Sequence, residues 1–311
     1  MISQKCGKVV KGLGGLFVTR IAGSDGVTYL SSRAKGNLKR DDERVLIGDE
    51  VIVTIDDETP DGVVISEVKP RKNSLIRPPL ANLDYLFIVF AAKKPSPVLE
   101  TVDKLIAIAE HSGIEPVVVV TKSDMDEGAA EEYLEIYRSV GLPSFITSSL
   151  SGEGTEELSA FIKDNLTGGK TAAFAGASGV GKSTLMNALF PTLSLATAEI
   201  SKKIERGRHT TRHVEIFDID KSEDTGFLAD TPGFSLIDFE RFDFFSLEEL
   251  TDTFREFRPF IGKCRYADCS HVGEGRDECA VMRAVEDGAV HKSRLESYRS
   301  IYRTLKNKEK F

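Results

Sequence analysis

Long apolar segments are missing from this chain of 311 residues. The longest core-like run, residues 86–92, is much too short to span a membrane and suits a buried strand. The first ten residues also lack the apolar core of a secretory signal. The composition, with 41% hydrophobic and 29% charged residues, is ordinary for a globular protein. We therefore expect a cytoplasmic protein that does not enter a membrane.

Acidic residues are scarce at the two ends, although the net charge is −8. Residues 1–40 hold eight Lys or Arg and one acid, a balance of +7. Residues 291–311 hold seven Lys or Arg and two acids, a balance of +5, so the residues between carry −20. Two basic ends on an acidic body indicate local contacts with a polyanion. The alternative is solvated surface charge that has no partner.

The N-terminal part of the sequence predicts a small all-β unit. Short β-rich segments separated by glycines occupy residues 9–10, 16–19, 27–30, 50–55 and 62–68. Five strands in about seventy residues fit a small closed barrel of the OB kind, and an SH3-like barrel fits the same pattern. The basic, proline-containing residues 70–79 predict a linker.

Strands alternate with helices in the middle of the chain. Strands are predicted at residues 86–91, 117–121, 144–147, 171–175, 214–219 and 226–229, and helices at 98–111, 129–140, 155–165 and 182–190. This alternation predicts a mostly parallel sheet that is covered on both faces. From about residue 247 the chain becomes helical and contains cysteines. The sequence thus predicts a multi-domain α/β protein with domains at 1–70, 71–245 and 246–311.

A phosphate-binding loop follows the predicted strand 171–175 and opens a helix. The loop and the first residues of the helix that follows it are Gly176, Ala177, Ser178, Gly179, Val180, Gly181, Lys182, Ser183 and Thr184. Glycines let backbone N–H groups surround phosphate oxygens, and the helix N-terminus favours negative charge. We expect Lys182 to reach the β- and γ-phosphates and Ser183 to ligate Mg²⁺. A glycine-rich turn without a ligand is the alternative.

A second motif, Thr121-Lys122-Ser123-Asp124, indicates that the nucleotide is GTP. One carboxylate, here Asp124, can accept hydrogen bonds from both N1–H and the 2-amino group of guanine, whereas adenine offers no such pair of donors. Lys122 is expected along the base plane, and Ser148 and Ser149 are expected to support the base. Because this motif precedes the phosphate loop, opposite to the order in Ras-like GTPases, the sequence predicts a circularly permuted GTPase.

Two further segments predict nucleotide-dependent switches. Asp230-Thr231-Pro232-Gly233 fits Asp-x-x-Gly, in which Asp230 would hold Mg²⁺ through water and the Gly233 N–H would sense the γ-phosphate. Within residues 207–212, Thr211, or else Thr210, would complete the Mg²⁺ shell.

The glutamine that orients the attacking water in Ras-like enzymes is absent, since the position after Gly233 is Phe234. His209 is our candidate for that role; a structural or phosphate-contacting histidine is the alternative. We therefore expect slow intrinsic hydrolysis that a partner accelerates.

The four cysteines of the chain are unevenly distributed. Three of them share sixteen residues with a histidine: Cys264, Cys269, His271 and Cys279. Three thiolates and one imidazole predict a tetrahedral Cys₃His zinc site, and in a cytosolic protein closely spaced cysteines favour a metal over a disulfide. Free buried thiols are the alternative. Cys6 has no obvious partner.

Together these motifs resemble one family, the circularly permuted GTPases that depend on the small ribosomal subunit, known as RsgA, YjeQ or YloQ. Residues 70–78 and 81–84 resemble the junction between barrel and GTPase in that family. The resemblance implies an OB-fold barrel, bound zinc, GTP hydrolysis stimulated by the small ribosomal subunit and its rRNA, and a role in late maturation of that subunit. The chain departs from the family at Arg33-Ala34-Lys35-Gly36, where Arg-Gly-Lys is usual, and at Thr121, where Asn is common.

Three functions remain in competition. The first is an enzyme that docks on rRNA as a monomer, cycles between GTP and GDP, and leaves after hydrolysis. The second is an RNA-binding GTP sensor with negligible turnover. The third is an ATPase or kinase, against which Asp124 argues. Because permutation places the switch segments directly before the zinc unit, we further hypothesise that loss of the γ-phosphate moves the zinc unit relative to the barrel.

Overall fold

The structure is a computed structural model that describes residues 2–23, 26–39, 44–56, 62–191, 214–220, 222–230 and 243–308. The chain forms two compact units that do not follow chain order. Unit one comprises residues 1–85, 156–174 and 183–234, and unit two comprises residues 86–155, 175–182 and 235–311. Among the described helices, none has the length and apolar composition needed to cross a membrane.

The N-terminal strands of unit one close into a ring. They are β1 (Ile2–Leu13), β2 (Leu16–Gly23), β3 (Gly26–Ala34), β4 (Glu50–Asp56) and β5 (Val63–Val68). Their order is β1-β2-β3-β5-β4 and back to β1, with only the β3–β5 pairing parallel. This is the OB-like arrangement, so the SH3-like alternative is excluded. Val9, Val51, Val53 and Ile65 fill the inside of the ring.

The first strand is much longer than the sequence pattern predicts. β1 has twelve residues, whereas only residues 9–10 were expected as strand. Its first five residues are all exposed, so the alternation of apolar and polar residues that marks a half-buried strand is missing there. Pairing with β4, from Ile2 opposite Asp56 to Lys8 opposite Glu50, holds this half of the strand instead.

The segment predicted as a linker is firmly bonded within unit one. It contains a short hairpin of β6 (Ser74–Leu75) and β7 (Leu80–Ala81). The Arg71 guanidinium donates two hydrogen bonds to Asp49, of 2.6 and 2.9 Å. The side chains of Asn73 and Asn82 bond the backbone across the hairpin and back to the Gly48 carbonyl. A basic, proline-containing composition therefore does not mean a flexible connection here.

The remainder of unit one continues the sheet beyond the barrel strands. It contains α3 (Thr155–Asn165), β11 (Thr171–Ala175), most of α4 (Lys182–Leu189), β12 (Glu215–Asp218) and β13 (Phe227–Asp230). β11 and β13 are parallel, while β12 runs antiparallel to β13 and, on its other side, to β1. The barrel and the GTPase motifs of this unit thus share one continuous run of strands.

Three strands are described in unit two, and the first two carry apolar runs typical of fully buried strands. They are β8 (Tyr85–Ala91), β9 (Glu115–Thr121) and β10 (Ser144–Thr147), in the order β10-β9-β8. The helices of this unit are α1 (Leu99–His111), α2 (Glu127–Ser139), α5 (Ala280–Glu286) and α6 (Lys292–Lys308). The Asp126 side chain caps α2 by accepting from the Ala129 N–H.

A buried charge network attaches α6 to α1 inside unit two. The Arg294 guanidinium, 1% exposed, bonds Asp103 of α1 at 2.5 Å and Glu256 at 2.6 and 3.2 Å. The Tyr137 hydroxyl donates to the same Asp103 carboxylate at 3.1 Å. Arg294 thus bonds both carboxylates, although Asp103 Oδ2 has no hydrogen-bond partner among the described residues.

Candidate functional site

The phosphate loop lies against strand β8. A Cβ on Gly176 would be 2.0 Å from the Val89 carbonyl oxygen, and its φ of +142° is unfavourable for other residues. Gly179 and Gly181 also have positive φ, of +79° and +99°. Only glycine meets both requirements at position 176, which explains why the loop begins with it.

The Lys182 ammonium folds back onto its own loop. It donates to the carbonyls of Gly176 and Ala177 at 2.7 Å each, and burial lowers its pKa. A cation in this place, at the start of α4, suits phosphate oxygens. Ser183 and Thr184, the next two residues of the helix, are exposed.

The guanine motif is tied to the phosphate loop by two hydrogen-bonded side chains. The Thr121 hydroxyl, at the end of β9, donates to the Val180 carbonyl at 2.5 Å. The Lys122 ammonium donates to the Gly179 carbonyl at 2.7 Å and to the Lys94 carbonyl at 2.5 Å. Thr121 thus anchors the loop. Lys122 adopts the left-handed conformation, with φ of 58°, at the turn between β9 and the next residues.

The carboxylate predicted to read guanine is held from a neighbouring turn. Asp124 is exposed, and its Oδ1 accepts from the Ser148 hydroxyl at 2.5 Å. Ser148 is buried and its oxygen is also 3.3 Å from the N–H groups of Leu150 and Ser151. This geometry fixes one carboxylate oxygen and the direction of the other. The predicted base-supporting Ser149 is exposed, and no described contact brings it to the motif.

One residue of this site was not found from the sequence. The Glu153 carboxylate accepts from the Ser123 hydroxyl at 2.9 Å, and the Glu153 carbonyl accepts from the Ser148 N–H at 3.1 Å. It thereby joins the two turns that carry Asp124 and Ser148. Its sequence signal is weak, since it is one acid in a polar turn that has no motif spacing to Asp124.

The predicted switch residues are only partly described. Five of them lie outside the described residues: His209, Thr210, Thr211, Thr231 and Gly233. Asp230 is the last residue of β13 and pairs with Glu215 of β12. Their roles at the phosphates therefore stay predictions.

The three cysteines and the histidine predicted as metal ligands converge in unit two. Their ligand atoms all lie within 4.8 Å of one another, with His271 Nδ1 between 3.3 and 3.6 Å from the three sulfurs. A tetrahedral ion with metal–sulfur bonds of about 2.3 Å requires S–N separations of about 3.5 Å. The residues Cys264, Cys269, His271 and Cys279 therefore fit a metal ion.

The surroundings hold these four ligands in place. The N–H of Ala280 donates to the Cys264 sulfur at 3.3 Å, and the N–H of Met282 donates to the Cys279 sulfur at 3.4 Å. The Glu274 carboxylate accepts from three backbone N–H groups and one hydroxyl of the ligand loop; although burial alone would raise its pKa, these bonds lower it to about 2. Such fixed supports are typical of structural metal sites.

Comparison with known proteins identifies relatives of this chain. The family model described as RsgA GTPase matches residues 68–240, more than half of the chain. A protein of Caldanaerobacter subterraneus named small ribosomal subunit biogenesis GTPase RsgA is 40% identical over 305 residues, covering 98% of this chain and 97% of that protein. The protein of the same name from Bacillus subtilis is 34% identical and covers 97% of this chain and 98% of its own.

The chain is also similar to two solved structures over nearly its full length. YjeQ from Thermotoga maritima superimposes with a TM-score of 0.78 at 31% identity, covering 97% of this chain and 99% of that one. YloQ, described as a circularly permuted GTPase, gives a TM-score of 0.76 at 30% identity and covers 98% of this chain and 96% of its own. The circular permutation predicted from the order of the motifs is thereby confirmed.

Proposed function

Because the chain belongs to the RsgA GTPase family, whose members are GTP hydrolases, we propose that it acts on the small ribosomal subunit. In this proposal the chain binds the subunit with GTP, hydrolyses the nucleotide during late maturation of the subunit, and leaves in the GDP state. The relatives that share its full length carry the name of a small ribosomal subunit biogenesis GTPase, which supports this assignment.

One observation carries the choice of GTP. Asp124 is held by Ser148 at 2.5 Å, on a motif that Thr121 and Lys122 tie to the phosphate loop. A carboxylate fixed in this way accepts the two adjacent donors of guanine, and adenine cannot supply them. This geometry disfavours the ATPase or kinase alternative.

The residues around the phosphates have distinct proposed roles. Lys182 neutralises charge on the β- and γ-phosphates, and backbone N–H groups of residues 176–181 bind their oxygens. Ser183, Thr211 and, through water, Asp230 would hold Mg²⁺, which neutralises charge that develops on the transferring phosphoryl group. The Gly233 N–H would sense the γ-phosphate, and His209 would orient the attacking water.

We propose zinc as the metal of the Cys₃His cluster. Three thiolates with one imidazole in a tetrahedral arrangement suit Zn²⁺, and hydrogen bonds from backbone N–H groups to two sulfurs support a structural role. The basic regions 1–40 and 291–311 would contact rRNA from a monomeric, cytoplasmic protein. The three-part division at 1–70, 71–245 and 246–311 would then separate RNA binding, hydrolysis and metal binding.

Turnover measurements test this function. GTP hydrolysis by the unaltered chain should rise at least about tenfold when purified small subunits are added, since the residue that orients water in Ras-like enzymes is absent. Ser183→Ala should abolish the rise because it removes a Mg²⁺ ligand. Equal rates with and without small subunits would contradict the proposed partner, and negligible turnover in both would favour a GTP sensor.

The nucleotide specificity is tested separately by binding. Asp124→Ala should weaken GTP binding about 100-fold, because two charge-assisted hydrogen bonds are lost. Ser148→Ala should weaken it about tenfold by releasing Asp124, while the neighbouring exposed Ser149→Ala serves as the matched control and should change little. ATP that displaces labelled GTP from the unaltered chain at similar concentration would exclude the guanine assignment.

A further inference from the structure

A barrel strand lies next to the hairpin that ends at the proposed Mg²⁺ residue. β12 and β13 pair antiparallel, with Glu215 opposite Asp230 at one end and Asp218 opposite Phe227 at the other. On the outer side of β12, Glu215 is paired with Lys11 of barrel strand β1. Glu215 thus lies between Asp230 on one neighbouring strand and the barrel residue Lys11 on the other.

An ion pair reinforces this register. The Lys11 ammonium lies 2.9 and 3.0 Å from the two carboxylate oxygens of Glu215. Both side chains are partly exposed, at 32% and 24%. The pair is therefore accessible to charge reversal without leaving a buried charge unpaired.

The far end of the same hairpin is held by a second barrel residue. The Arg20 guanidinium of β2 bonds the Asp218 carboxylate at 2.8 Å and the Ser222 carbonyl at 3.0 Å. The Tyr29 hydroxyl of β3 donates to the same Asp218 oxygen at 2.7 Å. Asp218 is thus contacted from two barrel strands.

Phe227 provides the apolar part of this attachment. It is buried and close to two barrel cations, with the Lys8 ammonium 4.6 Å and the Arg20 guanidinium 5.1 Å from the ring centroid. The Lys8 ammonium also donates to the Gly169 carbonyl and the Thr171 hydroxyl, at 2.8 and 3.0 Å. Both ends of the hairpin, and both of its strands, therefore contact barrel side chains.

We infer that Lys11 and Arg20 of the barrel are positioning residues for GTP hydrolysis, acting through the β12–β13 hairpin on Asp230. Neither residue is placed at the nucleotide; each fixes the hairpin from which Asp230 extends. The positioning role rests on the Mg²⁺ role proposed for Asp230, but it does not depend on the small ribosomal subunit. An effect on Asp230 of a partner bound to the barrel, by the same route, rests in addition on the proposed partner. Intrinsic turnover therefore tests the positioning role even without a partner.

A charge swap separates positioning from RNA contact. Lys11→Glu and Glu215→Lys should each lower the intrinsic kcat about fivefold, because like charges then face each other across the β1–β12 pairing. The double variant K11E/E215K should restore kcat to within about twofold, since it re-forms the pair. KM for GTP should stay within about twofold in all three, because the guanine motif and loop residues 176–182 are unchanged.

Measurements with small subunits complete this test. The two single variants should show the same loss of kcat at saturating subunit, and the swap should show the same recovery. If the swap fails to restore kcat, or if Lys11→Glu loses only its affinity for subunits, Lys11 is a contact for the partner and the inference is wrong. A wild-type chain that small subunits do not stimulate contradicts the proposed function alone.

Arg20 is tested by a conservative change that keeps its charge. Arg20→Lys removes the second bond of the guanidinium, so kcat should fall about tenfold with KM for GTP unchanged. Thermal unfolding of the same sample shows that the variant is folded at the assay temperature. A folded Arg20→Lys variant with unchanged kcat would overturn the role of Arg20.

Discussion

Two attachments in this molecule differ in how their charges are buried. In unit two, α6 is held to α1 by Arg294, Asp103 and Glu256, none more than 9% exposed. In unit one, the barrel is held to the β12–β13 hairpin by Lys11 and Glu215, which are partly exposed, and by the more buried Arg20 with Asp218. We name these the α6 attachment and the hairpin attachment.

The difference has a consequence for motion. Separating a buried ion pair leaves uncompensated charges in a low dielectric, so the α6 attachment resists any change in geometry. The partly exposed Lys11–Glu215 pair can exchange its partner for water at little cost, so the end of the hairpin at Glu215 and Asp230 can adjust. We therefore expect the metal-binding part of unit two to move with α1 and the guanine motif, and the hairpin to respond to the nucleotide.

The largest expected effect is the loss of structure in the metal-binding part of unit two when the metal is removed. Binding of a structural zinc ion contributes on the order of 10 kcal/mol, and hydrogen bonds within the loop 264–279, such as those to Glu274, are too weak to replace it. A strong chelator should abolish hydrogen-exchange protection of the amides in α5 and residues 264–279, while amides of the barrel strands keep theirs. Protection that survives complete removal of the metal would show that the cluster is not a structural site.

Substitution of Arg294 should have the next largest effect, on the free energy of unfolding. Arg294→Met leaves Asp103 and Glu256 buried without their cation, so we expect the free energy of unfolding to fall by about 3–5 kcal/mol. The matched control is Arg258→Met, since Arg258 also pairs with a carboxylate, Glu110, but is half exposed. The control should cost less than about 1 kcal/mol in a denaturant titration. Equal losses in the two variants would remove the distinction on which the α6 attachment depends.

Lys8, which contacts the hairpin residue Phe227, should make the free energy of unfolding depend on pH. Burial lowers the pKa of Lys8 from its ordinary value of 10.5 to about 8, with Glu50 and Asp84 raising it and Lys72 and Arg20 lowering it. Between pH 8 and 10.5 the unfolded chain binds this proton more strongly than the folded chain, so the stability rises with pH.

The Lys8→Met variant isolates this effect. From pH 7 to pH 10.5 the unaltered chain should gain about 2–3 kcal/mol of unfolding free energy relative to Lys8→Met. Below pH 7 the difference between the two should be constant. A difference that stays flat up to pH 10.5 would show that Lys8 is not buried as a cation against Phe227.

The smallest effect on stability is expected for Lys11. Lys11→Gln should change the free energy of unfolding by less than about 1 kcal/mol, because the pair with Glu215 is partly exposed. A denaturant titration beside Arg276→Gln, which removes two exposed ion pairs of unit two, provides the comparison. A much larger loss in Lys11→Gln would mean that the hairpin attachment is as rigid as the α6 attachment.

The motifs were predictable from the sequence because their chemistry is local. The phosphate loop, Thr121 to Asp124 and the four metal ligands each occupy short segments with fixed spacing, and the strands beside them are apolar runs. The strand pattern fitted an OB or an SH3-like barrel and the family resemblance implied an OB-fold, which the closed strand order confirms. Metal identity and the roles of His209 and Thr211 remain predictions.

The attachments were not predictable, because they join residues far apart in the chain. Arg294 and Asp103 are separated by 191 positions, and Arg20 and Asp218 by 198. In the sequence each of these residues is one more charge on a helix or strand, which a solvated surface explains equally well. The ordered segment 70–84 was missed for a similar reason, since the partners of Arg71 and Asn82 lie on an earlier loop.

Hydrogen exchange of the full chain, bound to GDP and to a non-hydrolysable GTP analogue, tests the difference between the attachments most directly. The account predicts that amides of Glu215–Asp218 and Phe227–Asp230 change their exchange rates between the two states, together with the facing residues of β1. Amides of α1 and α6 should exchange equally in both. A change in α1 and α6 with an unchanged hairpin would contradict the account.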